Sequence, residues 1–233
     1  MSQSATYQSR RQELFQYFDR TAADAWAKLT SDAPVSGIRA TVRAGRDDMR
    51  ATLLSWLPDD LAGKTLLDAG CGTGALAVEA ARRGARVTAI DLSPTLVGLA
   101  EQRLPADVAD RIDLRSGDML DPSLGSFDHI VGMDSLIHYR APDMVDVISG
   151  FAARARASVL VTFAPRTALL TMMHNVGKLF PKSDRAPAIE PVGEGRLRRL
   201  VAKRPDLTEW QLGRTRRIAR GFYTSQALEL VGR

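Results

Sequence analysis

The sequence predicts an α/β fold with a mostly parallel, seven-stranded sheet, helices on both faces of the sheet and an N-terminal helical cover. Three observations predict this fold. From residue 64 onward, short apolar or β-branched runs alternate with segments of helical periodicity, as in consecutive βαβ units. A glycine-rich stretch follows the first of these runs. The 233 residues are 45% hydrophobic and 25% charged, which is typical of a soluble globular domain that buries a sizeable core.

Each strand is predicted from its own run of residues. Parallel strands are expected at 65–70, 86–91, 111–118, 127–134 and 157–165, and runs at 207–213 and 219–231 predict an antiparallel pair at one edge. The preceding segments, 10–18, 24–29 and 37–56, have helical character. We therefore assign residues 1–60 to the cover and 61–233 to the main domain. In that domain, residues 166–191 pass from an apolar helical pattern to a polar, proline-rich stretch suited to a substrate lid.

The distribution of charge indicates an anionic partner. Residues 1–150 carry 16 basic and 21 acidic side chains, whereas residues 151–233 carry 16 basic and 6 acidic ones. A carboxylated ligand, an anionic membrane surface or nucleic acid would suit the basic part, and so would a solvated basic face without a partner. One cysteine and three separated histidines predict neither a disulfide nor a protein-bound metal. The polar N-terminus lacks a signal-peptide pattern, so we expect a cytoplasmic protein.

The glycine-rich stretch LLDAGCGTG at 66–74 lies where the first strand turns into a helix. Its glycines, Gly70, Gly72 and Gly74, permit a sharp turn and a close approach of backbone N–H groups to a ligand. A dinucleotide fingerprint would place its third glycine one residue later. Asp68, two residues before the first glycine, suits a ligand with an ammonium group better than a pyrophosphate. The pattern D-x-G-x-G-x-G resembles motif I of the Rossmann-like class I methyltransferases, which use S-adenosyl-L-methionine and release S-adenosyl-L-homocysteine.

That resemblance implies further donor-binding residues at successive strand ends. Asp91, with Leu92 beside it, would bind the ribose hydroxyls, although an acid before Ser93-Pro94 also suits a helix cap. Asp118 and Met119 would contact the adenine, although Gly-Asp is also common in turns. Cys71 is read as a small residue that fills the glycine loop at the donor, because direct in-line methyl transfer needs no covalent intermediate.

The end of the fourth strand faces the reacting methyl group in this fold. Met133 closes the strand beside the donor, and the residues after it, DSLIHY, lack the Asn-Pro-Pro-Tyr pattern of enzymes that methylate nitrogen. The chain resembles the magnesium-protoporphyrin IX O-methyltransferases of bacteriochlorophyll and chlorophyll biosynthesis. The resemblance lies in segments spread over nearly the whole chain, at 17–26, 37–50, 134–139, 177–187 and 220–229.

The resemblance implies methylation of a porphyrin propionate, with magnesium belonging to the substrate. A propionate of pKa about 4.3 is already ionised at neutral pH, so the site must orient it rather than deprotonate it. His138 and Tyr17 are the candidate catalytic residues, with core packing as the alternative role of each. The candidate substrate-binding residues are Tyr139, Arg46, Arg166 and Lys178. Arg46 suits either the donor's carboxylate or the substrate.

Two other functions fit the sequence. One is methylation of another carboxylic or phenolic small molecule, since fold and donor motif do not specify an acceptor. The other is a non-catalytic basic module that binds RNA or membrane; no aromatic-rich basic stripe supports nucleic acid as a partner. The family resemblance also implies transient contact with the large subunit of magnesium chelatase. The basic C-terminal third and a hydrophobic product together suggest peripheral membrane association.

Overall fold

The structure, a computed structural model, describes residues 4–21, 30, 37–166 and 188–233. Its seven strands are β1 Thr65–Ala69, β2 Arg86–Asp91, β3 Ile112–Ser116, β4 Phe127–Gly132, β5 Ala155–Phe163, β6 Trp210–Arg220 and β7 Tyr223–Gly232. Within these ranges the α-helices are α1 Ala5–Gln16, α2 Ile38–Leu54, α3 Ala75–Arg82, α4 Pro94–Gln102, α5 Ala141–Ala152 and α6 Glu194–Ala202. A π-helical turn, Tyr17–Thr21, extends α1.

The strands form one sheet in the order β3-β2-β1-β4-β5-β7-β6. Strands β1 to β5 are parallel, and β7 runs antiparallel between β5 and β6. The predicted mostly parallel, seven-stranded sheet is confirmed. The order reverses between β1 and β4, which are neighbours in the sheet. A crevice opens at the carboxyl ends of the strands at such a reversal, and ligands of open α/β sheets bind there.

Two apolar clusters cover the two faces of the sheet. One combines Tyr7 and Leu14 of α1 with residues of α5 and α6. The other combines Met49 and Leu53 of α2 with the apolar side of α3. The N-terminal helices therefore contribute to the core on both faces. The boundary at residue 60 stays a prediction.

Acidic side chains fix the N-terminal helix to the rest of the fold at both of its ends. Asp143, in the first turn of α5, accepts hydrogen bonds from the hydroxyls of Ser4 and Thr6, both at 2.6 Å. Asp19 accepts from the Ser93 hydroxyl at 3.0 Å and from the Thr95 N–H at 3.1 Å, at the N-terminus of α4. A carboxylate at a helix N-terminus satisfies N–H groups that lack partners within the helix. These contacts join α1 and its π-helical turn to the segments that follow β4 and β2.

The edge hairpin corrects one sequence prediction. The first run was expected to end at residue 213, but β6 continues to Arg220 and the turn lies at Gly221 and Phe222. The arginines after residue 213 are exposed on an edge strand, where charged side chains are common. Gly221 has a φ of +55°, and a Cβ there would lie 2.6 Å from the Thr41 hydroxyl of α2. Helix α2 therefore fixes the position of the turn.

Candidate active site

A cavity of about 370 Å³ opens at the carboxyl ends of β1, β2 and β4, a volume within the usual range of small-molecule sites. Its walls combine the glycine loop, the residues after β4 and side chains from α1 and α2. The sequence-predicted residues at its lining are Arg46, Asp68, Gly70, Cys71, Gly72, Asp91, Leu92, Met119, Met133, His138 and Tyr139. Residues that the sequence analysis did not select, including Tyr7, Phe18 and Asp134, also line it.

The glycine loop forms the floor of this cavity. Gly70, Gly72 and Gly74 have φ values of +83°, +56° and +80°, a region that strongly favours glycine. The N–H groups of Gly70 and Cys71 donate to the Ile90 carbonyl of β2 at 2.8 and 3.0 Å. A Cβ on Gly70 would lie 2.5 Å from the Cβ of Ser135, so the loop touches the residues after β4. Gly74 begins α3, between the cavity-lining Thr73 and Ala75.

Asp68 is the acid whose position best matches its predicted role. Its side chain lies at the end of β1, the residue is 2% exposed, and its Oδ2 has no hydrogen-bond partner within the described protein. Burial, reinforced by the nearby charge of Asp91, raises the pKa of the Asp68 carboxyl to about 7, while Arg46 opposes this shift. A buried acceptor without a partner is costly unless a ligand supplies a donor. An ammonium group in the cavity would supply it.

Asp91 is held by backbone donors at the end of β2. Its Oδ2 accepts from the Gly72 N–H and its Oδ1 from the Ser93 N–H, both at 2.9 Å. Burial raises the pKa of this carboxyl, and the two hydrogen bonds oppose that shift. The glycine loop and β2 thus fix the orientation of Asp91 beside the Leu92 side chain. The N-cap of α4 is Ser93, whose hydroxyl accepts from the Leu96 N–H at 3.2 Å, so Asp91 is not the capping residue. The position of Asp91 is compatible with a ribose ligand.

The region after β3 differs from the prediction. Strand β3 ends at Ser116, and the Asp118 carboxylate does not line the described cavity, whereas Met119 does. Asp118 accepts from the Tyr7 hydroxyl at 2.8 Å and from the Leu120 N–H at 2.9 Å, and it pairs with Arg11. Helix α1 therefore engages the carboxylate that was expected to bind an adenine amine. Of the two residues predicted to contact the adenine, only Met119 lines the cavity.

His138 lies in the segment between β4 and α5 and lines the cavity while only 8% exposed. Its Nδ1 lies 3.4 Å from the Ala188 carbonyl oxygen, and its ring meets Phe18 edge-on at 5.8 Å. Tyr139 stacks on Tyr7 with ring centroids 5.0 Å apart, and burial raises the pKa of both phenols. The lining of the cavity therefore combines these aromatic rings with the carboxyl groups of Asp68 and Asp91.

The other predicted residues are placed less favourably. Tyr17 is absent from the described lining, and its ring packs edge-on against Phe18 at 5.2 Å. Of the described N-terminal tyrosines, Tyr7 and not Tyr17 lines the cavity. Tyr7 and Leu14 are seven residues apart and both are buried on one side of α1, and this helical spacing is the sequence signal that could have selected Tyr7. Arg166 is exposed and outside the described lining, and Lys178 lies outside the described residues. Cys71 lines the cavity, and burial raises the pKa of its thiol, which disfavours a thiolate nucleophile.

Comparison with known proteins identifies the family. Residues 66–157 match a family described as "Methyltransferase domain", and residues 132–232 match "Magnesium-protoporphyrin IX methyltransferase C-terminus". The magnesium-protoporphyrin O-methyltransferase of Rhodobacter capsulatus is 48% identical over 224 residues, which cover 96% of this chain and 97% of that protein. The chain belongs to the magnesium-protoporphyrin O-methyltransferase family. The family predicted from sequence is thereby confirmed.

Further members of the family match nearly the whole chain. The Synechocystis enzyme is 29% identical over 219 residues, 92% of this chain and 93% of that protein. A crystal structure of magnesium protoporphyrin IX methyltransferase from Synechocystis with bound SAH superposes with a TM-score of 0.83 at 28% identity. The superposition covers 96% of this chain and 100% of the Synechocystis chain. The class I methyltransferase fold is shared along the whole length of this family.

Among the residues that the structure describes, no cluster of three or more histidine, cysteine or acidic side chains is arranged to hold a metal ion. No helix in the described ranges has both the length and the apolar character needed to cross a membrane.

Proposed function

We propose that this protein transfers the methyl group of S-adenosyl-L-methionine to a propionate carboxylate of magnesium-protoporphyrin IX, which gives the monomethyl ester. The observation that carries the proposal is the cavity itself. It brings Asp68, a buried carboxyl group whose Oδ2 has no hydrogen-bond partner among the described residues, together with aromatic side chains that include His138. Membership of the family supports the porphyrin as acceptor.

The described residues fit the donor at its chemically distinct parts. Asp68 would bind the ammonium group, with the backbone of Gly70, Cys71, Gly72 and Gly74 close around it. Asp91 and Leu92 would hold the ribose, and Met119 and Met133 would contact the adenine and the sulfonium side. When bound, the donor supplies a methyl group activated by a positively charged sulfur. Arg46 would bind a carboxylate, either that of the donor or that of the acceptor.

The residues at the end of β4 have a different task. A propionate is ionised at neutral pH, so it needs orientation toward the methyl group and partial removal of water. His138 is placed to donate a hydrogen bond to the carboxylate, and the Tyr7–Tyr139 stack and Phe18 exclude water from that side. Tyr17 and Asp118 would have to leave their present contacts to act as the sequence suggested. We keep as proposed parts of the porphyrin site the lid at 166–191 and, within it, Arg166 and Lys178. The division of the chain into a cover at 1–60 and a main domain at 61–233 is likewise a proposal.

An acceptor series tests the proposed reaction. Turnover is expected with magnesium-protoporphyrin IX, and none is expected with its dimethyl ester, whose carboxylates are already blocked. Methylation of a phenolic acid instead of the porphyrin would support the alternative acceptor class. Binding of the donor without methylation of any acceptor would support a non-catalytic module.

Substitution of His138 distinguishes orientation from general-base catalysis. His138→Phe is expected to lower kcat/KM for the porphyrin roughly ten- to a hundredfold, the value of a hydrogen bond to a charged group. His138→Gln keeps an N–H donor and should recover most of that loss, while the Kd of S-adenosylhomocysteine stays unchanged in both variants. A loss of about 10⁴-fold in both variants, confined to the neutral range of a pH–rate profile, would instead identify a general base.

Peripheral membrane association is a further part of the proposal, and one surface supports it. Ile38 and Phe222 are 55% and 54% exposed, large values for apolar side chains. Both lie next to Thr41: its hydroxyl donates to the Ile38 carbonyl at 2.8 Å, and Gly221, the neighbour of Phe222, packs on it. Arg39 and Arg220, which are near them in the sequence, are exposed, and Arg220 pairs with Asp48. Exposed apolar side chains beside cations suit an anionic membrane surface.

Vesicle sedimentation tests this surface. The protein is expected to co-sediment with phosphatidylglycerol vesicles more than with phosphatidylcholine vesicles. Replacing both Ile38 and Phe222 by serine should reduce sedimentation severalfold and leave methylation of detergent-dispersed porphyrin unchanged. Equal sedimentation of the variant and the wild type would contradict the assignment of the surface. The proposed transient contact with the magnesium chelatase large subunit is tested separately, by surface plasmon resonance with that subunit.

A further inference from the structure

Asp134 has an unusual backbone conformation at the cavity. It is the one non-glycine residue in the described ranges with a positive φ, +54°, and it comes two residues after the end of β4. Left-handed geometry costs a side-chain-bearing residue about 1 kcal/mol or more, although aspartate and asparagine tolerate it best. Its side chain is only 7% exposed. A buried charge in a strained conformation persists only where the surrounding structure determines both.

The contacts of Asp134 come from three different elements. On β5, the Thr162 hydroxyl accepts from the Asp134 N–H at 2.7 Å and donates to Oδ1 at 3.2 Å. On β7, the Tyr223 hydroxyl lies 3.1 Å from both carboxylate oxygens, and the Ser225 hydroxyl donates to Oδ1 at 3.1 Å. From α2, Arg46 Nη1 donates to Oδ2 at 2.8 Å. The carboxylate thus joins the edge hairpin to the helix that carries Arg46.

The residue next to Arg46 is adapted to this arrangement. Gly45 is buried within α2, where a glycine costs about 1 kcal/mol relative to alanine. A Cβ on Gly45 would lie 2.4 Å from the Tyr223 ring. Tyr223 can therefore reach Asp134 only because residue 45 has no side chain.

The network acts on a cation at the cavity. Arg46, Asp68 and Asp134 all line it, and the Arg46 side chain is 23% exposed. A flexible guanidinium loses about 2 kcal/mol of rotamer entropy when it is ordered, so a partner that orders it in advance favours ligand binding. The charge of Arg46 also acts on Asp68, where it opposes the rise in the pKa of that carboxyl. A cation near a carboxylate that has one oxygen without a partner matches the two charges of an amino-acid zwitterion.

We propose that Asp134 and Tyr223 are positioning residues that hold the Arg46 guanidinium where it binds the carboxylate of the donor's amino-acid end. This inference rests on the proposed function for the identity of the donor. It makes the C-terminal hairpin part of the donor site, although β7 lies on the far side of β5. The structural alternative is that Asp134 only joins β4, β5 and β7 and has no effect on ligand binding.

Calorimetric titration with S-adenosylhomocysteine tests the proposal without requiring turnover. Asp134→Asn keeps the shape and the tolerance of positive φ, and it should weaken binding about tenfold, near the value of one charge-assisted hydrogen bond. Tyr223→Phe removes one hydroxyl and should weaken binding about threefold, which corresponds to a net loss near that of a neutral hydrogen bond. In an Arg46→Met background, Asp134→Asn should cause no further loss of affinity, because its effect passes through Arg46.

Glu229→Gln is the matched control. Glu229 is a buried carboxylate of the same hairpin that pairs with Arg214, and neither residue lines the described cavity. This variant should lose stability and keep wild-type affinity for S-adenosylhomocysteine. If Asp134→Asn does not fold, Tyr223→Phe carries the test. Wild-type affinity in the folded Asp134 and Tyr223 variants, or additive losses in the Arg46→Met background, would overturn the proposal. A protein that binds S-adenosylhomocysteine as described but does not methylate the porphyrin would refute the proposed function alone.

Discussion

Replacement of Gly70 by alanine is expected to reduce the affinity for S-adenosylhomocysteine more than a hundredfold and to abolish methyl transfer. Two effects act at this residue. Its φ of +83° disfavours any side chain, and an added Cβ would lie 2.5 Å from the Cβ of Ser135. The loop cannot move away from β4 without breaking the hydrogen bonds from Gly70 and Cys71 to Ile90, because those bonds hold it against β2. Calorimetry and turnover measure the two losses.

Gly63→Ala separates backbone strain from the steric clash. Gly63 also has a positive φ, +73°, but a Cβ there would meet nothing within 4 Å. We expect this control to lower the free energy of unfolding by about 1–2 kcal/mol and to leave the affinity for S-adenosylhomocysteine unchanged. If Gly70→Ala also kept its affinity, the close contact between the glycine loop and Ser135 would not shape the donor site.

The affinity for S-adenosylhomocysteine should depend on pH through Asp68. Burial and the charge of Asp91 raise the pKa of this carboxyl to about 7 in the ligand-free protein, so it is mostly protonated below that pH. An ammonium ligand requires the ionised form. The Kd is therefore expected to rise about tenfold for each pH unit below 7, because binding must first remove the proton.

The Asp68→Asn variant provides the comparison. This variant should bind S-adenosylhomocysteine more weakly than the wild type at pH 8. Its Kd should change less with pH between 5 and about 7, where the upper limit is the pKa of the wild-type carboxyl. The ligand-free wild type should also lose stability relative to Asp68→Asn as pH rises from 3.8 to about 7, because the folded state binds this proton more tightly than the unfolded state. Equal pH dependence of Kd in both proteins would assign the titration to another group.

The parallel half of the fold was predictable because its central strands, β1, β4 and most of β5, are buried on both faces. Runs such as 86–91 and 127–134 combine β-branched or apolar residues with turn-forming residues at their ends, and the observed β2 and β4 lie within them. The edge hairpin was predicted less well. Strand β6 has an exposed face rich in arginine, so its alternation does not distinguish it from a loop. Its turn is set by a contact with Thr41 that is distant in sequence.

The candidate site also divides into residues that a local sequence pattern predicts and residues that only long-range contacts bring together. Asp68 and Asp91 lie at the ends of strands that the local sequence predicts, and Asp68 belongs to a recognisable glycine motif. Asp134 could not be selected, because its importance comes from residues 46, 162, 223 and 225, which only the folded chain brings together. The contact between Asp118 and Tyr7 joins residues 111 positions apart and was equally inaccessible to a local pattern.

The measurement that tests the central claim most directly is a mass-spectrometric analysis of the porphyrin after incubation with magnesium-protoporphyrin IX and donor labelled with a trideuteriomethyl group. The account predicts one labelled methyl group per porphyrin, present as an ester that alkaline hydrolysis removes, and no product with Asp68→Ala. A label on no porphyrin, a label that resists hydrolysis, or undiminished product with Asp68→Ala would contradict it.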